Sequence, residues 1–162
     1  RNVNTALKNL IDTYAYKSPP YPTANAAVAE FRKVTPDSLQ YLIHDMFETI
    51  TIFNNRALEA KYKKVGGEYE VKIKASFEKF RCDSIGSETK IPISDYVDVG
   101  IFAKPTGDAK LGKVLLRKRV KVTKKDNVFT FRTKELPYQA GVDPYNYLID
   151  RVPEDNIKQV EE

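Results

Sequence analysis

Histidine and cysteine are the scarcest reactive side chains in this chain of 162 residues, which holds one of each, His44 and Cys82. A zinc site built on two histidines, or on four Cys/His ligands, cannot be assembled from it, and an intrachain disulfide is impossible. Only seven glycines occur, none in a G-x-G-x-x-G or Walker spacing, so the sequence offers no phosphate-cradling loop. No apolar run approaches the roughly 18 residues that a membrane-spanning helix requires, and no signal-peptide core is visible. One cysteine fits either redox compartment. What remains is the make-up of a soluble globular domain: 41% hydrophobic, 30% charged and 11% aromatic. Those proportions exclude wholesale disorder.

The formal charge of +5 suggests a mild affinity for anionic partners. Its distribution says more. Residues 1–50 carry five basic and five acidic side chains, residues 51–134 carry 20 and 10, and residues 135–162 carry two and seven. An acidic tail that folds back on a basic middle would neutralise it, so overall basicity is weak evidence for a nucleic-acid partner.

The first 50 residues read as helical. Val3, Ala6, Leu7, Leu10, Ile11 and Tyr14 recur at the three-and-four spacing of one helix face. That pattern opens without a capping residue at Arg1, which points to a longer parent chain. Ser18-Pro19-Pro20-Tyr21-Pro22 then ends the helix. Thr23 is an N-cap for a second helix with Ala24, Ala27, Val28 and Phe31 inward. A third helix over 36–50 has Thr35 as cap, Pro36 and Asp37 in its first turn, and Leu39, Leu42, Ile43, Met46, Phe47 and Ile50 as its apolar stripe.

After Ile50 the period changes to two. Leu58, Ala60 and Tyr62 alternate with charged residues, and Gly66-Gly67 marks a hairpin. Tyr69, Val71, Ile73, Ala75 and Phe77 form the next inner face. Phe80 falls out of phase, which implies a bulge or the end of pairing. Further strands are expected over 91–103 (Val97, Val99 and Ile101 inward), 114–123 (Val114, Leu116, Val120 and Val122), 127–133 (Phe129 and Phe131) and 145–150 (Tyr145, Tyr147 and Ile149). The polar tail from Pro153 to Glu162 should lie on the surface or fray. About six or seven short strands with no helix between them argue for an antiparallel two-layer sandwich. The fold expected is α+β: about three helices in residues 1–50, then an immunoglobulin-like or fibronectin-like β-sandwich in residues 51–162.

Few residues invite chemistry. His44 is the only imidazole through which a histidine-dependent hydrolase could work, yet on a polar helix side it reads as an ordinary surface residue. Asp83, Asp95 and Asp98 lie near strand ends but match no EF-hand spacing and read as solvated loop carboxylates. Arg117-Lys118-Arg119 with Lys121, Lys124 and Lys125 is the densest basic run. Alternate members lie about 7 Å apart on a strand, near the phosphate spacing of a nucleic acid. The aromatics follow the core phase rather than interleaving with this run, so the favoured reading is an outer sheet face paired with neighbouring carboxylates. Lys118 interrupts the inward phase between Leu116 and Val120 and marks a sheet edge or an inward-pointing guard. The Pro19–Pro22 segment reads as a rigid loop and Cys82 as packing.

Two stretches carry a family likeness. One is Ala6-Leu7-Lys8-Asn9-Leu10 through Tyr14-Ala15-Tyr16, with Pro19-Pro20-Tyr21-Pro22-Thr23 and Thr35-Pro36-Asp37-Ser38-Leu39-Gln40-Tyr41-Leu42-Ile43 through Asp45-Met46-Phe47-Glu48-Thr49-Ile50. The other is Gly141-Val142-Asp143-Pro144-Tyr145 with Leu148-Ile149-Asp150-Arg151 and Pro153-Glu154-Asp155-Asn156. Together they resemble the C-terminal part of bacterial zinc aminopeptidases of the aminopeptidase N type, in particular those joined to an ABC-type permease membrane region. Such enzymes hold zinc through H-E-x-x-H and a downstream Glu, and grip the substrate's amino terminus with a Gly-x-Met-Glu-Asn segment. Neither occurs here, so no catalytic, cofactor-binding or metal-binding residue carries over. The resemblance implies a non-catalytic accessory domain that docks on or caps its parent's catalytic region. Zinc would belong to that region, and the parent would be associated with the bacterial inner membrane without this part entering the bilayer. The rest of the parent polypeptide is then the expected partner, through the exposed side of 36–50 and the Pro19–Pro22 loop. The competing expectation is a stand-alone sandwich whose basic face, Arg117, Arg119, Lys121, Lys124 and Lys125, binds nucleic acid or another polyanion.

Overall fold

The computed structural model describes residues 2–162, so the expectation attached to Arg1 lies outside the described residues. Two compact units are present, the first ending at Ile50 and the second spanning Thr51–Glu162.

In the first unit, α1 (Asn2–Tyr14) and α2 (Ala24–Val34) pack on each other. Thr23 caps α2 as expected, its hydroxyl accepting the Ala26 N–H at 3.3 Å. The third helix departs from expectation. Residues Asp37–Leu39 form a 3-10 turn, Gln40–Ile43 one α-turn (α3), and His44–Glu48 a π-helical turn. Thr35 is no N-cap here. It closes α2, where its hydroxyl donates to the Phe31 carbonyl at 2.7 Å. Gln40 explains why the chain turns so tightly, because its amide donates to the carbonyls of both Arg32 and Thr35. The apolar stripe does not bury as a unit: Ile43 is buried, whereas Met46 (67% exposed), Phe47 and Ile50 are not. Phe47 instead stacks on Phe31 of α2 with ring centroids 5.6 Å apart.

The second unit is the expected antiparallel two-sheet arrangement, with eight strands in place of six or seven. One sheet holds β1 (Ile50–Val65), β2 (Glu68–Cys82), β3 (Glu88–Ile91) and β6 (Asp126–Thr133). β2 is long enough to pair β6 along residues 69–76 and β3 along residues 79–82. The other sheet is ordered β5-β4-β7-β8, from β5 (Val114–Val122), β4 (Asp95–Phe102), β7 (Gln139–Val142) and β8 (Ile157–Gln159). Gly66 and Gly67 both take positive φ, +58° and +87°, in the β1–β2 hairpin, which is why that pair suits the turn. One continuous core joins the sheets, with Val71, Ile73, Ala75 and Phe77 meeting Val97, Val99, Ile101, Val122 and Val142.

Several strand expectations need correction. β1 begins at Ile50, and its inward phase shifts: Thr51, Phe53, Asn55 and Ala57 are buried, then Ala60, so Leu58 points outward at 50% exposure. Phe80 neither bulges nor ends pairing. β2 stays in register to Cys82 opposite Glu88, and the inward position after Phe77 belongs to Lys79. Residues 91–103 break into β3 and β4. Val114 is exposed. Residues 145–150 are not a strand, because Asp143 (φ +41°) and Asn146 (φ +53°) turn the chain and leave Tyr147 and Ile149 exposed. The tail does not fray. Asn156 and Val160 are buried, β8 pairs β7, and the Glu161 N–H donates to the Ala60 carbonyl at 2.9 Å. With the Arg151 N–H bonded to the Phe53 carbonyl at 3.0 Å, the C-terminal segment lines the outer edge of β1 at two places.

Candidate binding surfaces

β4 and β5 place their alternate residues on the outer face of the second sheet. The register sets Tyr96 opposite Lys121, Asp98 opposite Arg119 and Gly100 opposite Arg117. Asp98, expected to be solvated, is 5% exposed and accepts from both guanidiniums: Arg117 Nη2 at 2.7 Å and Arg119 Nε at 2.7 Å. The Arg119 hydrogen bond, joined by that of Arg117, holds the Asp98 carboxyl below its ordinary range despite burial, and Asp98 in turn raises both arginines. The expected cross-strand carboxylate partner is therefore present. The aromatic expectation is corrected: Arg117 lies over Tyr145 (5.0 Å) and Tyr147 (5.5 Å), and Lys121 lies over Tyr96 (5.8 Å). Sequence periodicity misses these tyrosines because two of them sit in a turn rather than on a strand. That turn is held by Asp143, whose oxygens accept the Tyr147 and Leu148 N–H groups and whose pKa burial pushes up. Lys125 bonds Glu78 on the other sheet, leaving the run 117–125 divided between two faces.

Asp95 is likewise no loop carboxylate. It is buried and accepts two bonds from the buried Lys79 ammonium, at 2.9 and 3.1 Å, which ties β2 to β4 between the sheets. Lys79 also lies 5.3 Å from the centre of the Phe53 ring. Only Asp83 behaves as expected, on an exposed turn where Oδ1 accepts the N–H groups of Ile85 and Ser87. Outside the first sheet, three carboxylates are each bridged by two cations: Glu59 by Lys61 and Lys74, Glu70 by Lys63 and Arg132, and Glu78 by Lys90 and Lys125. The bonds from Lys61 and Lys74 hold Glu59 down at about 2.

In the helical unit His44 Nδ1 lies 2.9 Å from Glu48 Oε2, and Arg32 holds the other oxygen of Glu48 at 2.6 Å. The Arg32 bond, ahead of that from His44, lowers the Glu48 pKa. The Arg32–Glu48 ion pair, with His44 beside it, forms an exposed chain across α2 and the π-turn. Tyr21 of the Pro19–Pro22 loop is 71% exposed, and Cys82 is half-buried at the end of β2. Along α1, Val3, Leu7 and Ile11 are 57%, 43% and 60% exposed. Their four-residue spacing makes one apolar stripe of them. Among the described residues, Ala6 and Ile43 are the only buried apolar residues of this unit, no helix is long and apolar enough to cross a membrane, and no three His, Cys, Asp or Glu side chains converge as metal ligands would.

No protein-family model matches this sequence, and no curated protein matches it.

Proposed function

We propose that the chain is a non-catalytic accessory module of an aminopeptidase N-like zinc peptidase, and that its helical unit is the docking element. The stripe Val3, Leu7 and Ile11 carries this reading: three large apolar side chains lie exposed in a row on a unit whose buried apolar residues are Ala6 and Ile43. Burial from full exposure gains about 1.5–3 kcal/mol per such side chain, and these start about half exposed, so a covering surface would gain roughly 2–4 kcal/mol over the three. The occupant we assign is the peptidase region of the same polypeptide, on the strength of the residues 6–50 and 141–156 that resemble such chains. Zinc chemistry would belong wholly to that region.

Two measurements test this. The coding sequence upstream of residue 1 should contain an H-E-x-x-H segment; an initiator methionine directly before Arg1 overturns the reading. The separately produced peptidase region should bind the chain, and Leu7→Asp with Ile11→Asp should abolish that binding. Unaltered binding by the double variant overturns the helical site. The competing polyanion reading is weakened by Asp98, which engages both Arg117 and Arg119 and leaves that cluster a net charge of +1.

A further inference from the structure

The two lateral sides of the sandwich differ. On one, the C-terminal segment covers the edge of β1 at Phe53 and at Ala60–Tyr62. On the other, β6 and β5 are the terminal strands of their sheets, each paired to one neighbour, β2 and β4. They are joined by residues 123–125, yet they do not pair with each other in either sheet. Exposed edges invite another strand unless charge, proline or a bulge blunts them.

These two edges are blunted unequally. β5 carries Arg117, Lys118, Arg119 and Lys121, all exposed. Lys118 stands opposite Val99, in the core-facing phase, and its ammonium lies 5.7 Å from the centre of the Phe131 ring on β6. It thus spans the gap between the two layers, as an inward-pointing guard does. β6, Asp126-Asn127-Val128-Phe129-Thr130-Phe131-Arg132-Thr133, holds neither proline nor lysine, and its ladder with β2 runs eight pairs without a bulge. Behind it Phe129, Phe131, Leu116 and Val120 are only partly buried against the core. Among the described residues β6 pairs with β2 alone, so its other side presents backbone that no strand meets, with a partly apolar floor and the Lys118 ammonium above it. Arg132 is 59% exposed and shares Glu70 with Lys63, which holds that carboxylate more closely, at 2.8 Å against 3.7 Å.

We infer that the free edge of β6 receives an extended, net-acidic peptide segment as an added strand. Main-chain bonds to β6 supply the attraction, and apolar side chains of the added strand rest on Phe129 and Phe131. Lys118 is met from the inward face, by a carboxylate beside those apolar side chains, and Arg132 from the outward face, which sets the sign of the partner. A second copy of this chain fits less well, because pairing β6 with its own counterpart across a two-fold axis would bring two cationic β5 strands towards each other. The inference is independent of the helical docking site, which lies in the other unit.

The probe is a fluorescein-labelled octapeptide whose inward phase holds valines and one glutamate and whose outward phase alternates threonine with glutamate, titrated with the full chain and read by fluorescence anisotropy. It should bind at least tenfold more tightly than its lysine counterpart, and N-methylation throughout its backbone should weaken it at least tenfold. Lys118→Glu should weaken the acidic peptide at least fivefold with an unchanged urea midpoint; Lys118→Ala serves as the second variant should the glutamate unfold the edge. No binding, equal binding of the lysine peptide, or equal binding of the N-methylated peptide each overturns the proposal. A doubled mass of the chain in light scattering that Val128→Lys abolishes overturns it too, since the edge would then take a second copy.

Discussion

Replacing Lys79 by methionine probes the pair that joins the two sheets. Lys79 and Asp95 side chains are 6% and 2% exposed, and the ammonium meets both carboxylate oxygens at 2.9 and 3.1 Å. Methionine keeps most of the lysine stem, and with it the packing on Phe53, so the variant removes chiefly the charge. Asp95 then keeps the Ser94 N–H at 3.2 Å but loses its counter-ion in a place water barely reaches. Breaking such a pair from one side costs about 3–5 kcal/mol, against a total of about 5–15 kcal/mol for a domain of this size. With a denaturant slope of about 2 kcal/mol per molar urea, the midpoint should fall by about 2 M. Lys79→Met with Asp95→Leu should recover much of that loss, since two apolar groups leave no buried charge unpaired. The assay is urea unfolding followed by far-ultraviolet circular dichroism at neutral pH. A single variant that costs less than about 1 kcal/mol, or a double variant no more stable than the single, refutes the assignment of a desolvated, mutually dependent pair.

Three further outcomes are expected. Leu7→Asp with Ile11→Asp should cost the chain alone about 1 kcal/mol by urea unfolding, chiefly the lower helix propensity of two aspartates, because both positions are exposed; a loss of about 3 kcal/mol or more would mean that the stripe is already covered. Gly141→Ala should cost about 3 kcal/mol by thermal denaturation, since a Cβ there would sit 2.0 Å from the Asn156 carbonyl oxygen and 2.9 Å from the Ile157 Cα, both backbone atoms that cannot swing aside. A neutral outcome would show that residues 156–157 do not pack on β7. Acidification should destabilise the sandwich. Asp98 and Glu59 titrate lower folded than unfolded, so their contribution is present above about pH 4 and disappears as pH falls through their folded values, for Glu59 about 2. Asp143, raised by burial, works in the opposite direction and at higher pH, from its ordinary value upward, because protonation relieves it. Arg119→Gln should therefore flatten the decline in urea midpoint between pH 5 and pH 3, and an unchanged slope would show that Asp98 draws nothing from Arg119.

Strand alternation located β2, β4, β5 and β6 because each has an inner phase of Val, Ile or Phe long enough to count. Where that phase contains a polar residue, periodicity misleads. The inward positions of β1 are Thr51, Phe53, Asn55 and Ala57, which read as a polar connection until the fold buries them. Asn55 is held at its backbone N–H by Asp150 Oδ2, 95 residues away, a relation no local window contains. β7 and β8 are only four and three residues long, too short to show a period. The 36–50 stripe is a true helical period, but that segment, tied to α2 by Gln40 and by the Arg32–Glu48 pair, runs through three geometries, which leaves Met46 exposed and sets Phe47 against Phe31.

The chain alone determined that it cannot supply a two-histidine or four-Cys/His zinc site or an intrachain disulfide, and which broad architecture it adopts. A count of imidazoles and thiols limits metal ligands under any folding, and the change of apolar period from 3.6 to 2 near Ile50 reflects local geometry that survives whatever packs around it. The partnership of each charge was decided only by tertiary structure. Asp83, Asp95 and Asp98 are alike in sequence, yet one caps an exposed turn, one is sealed against Lys79, and one gathers two arginines and, through Arg117, two tyrosines. Coulombic and hydrogen-bonding energies depend on separations of a few ångströms and on the exclusion of water, and those are set by strands that meet far apart along the polypeptide.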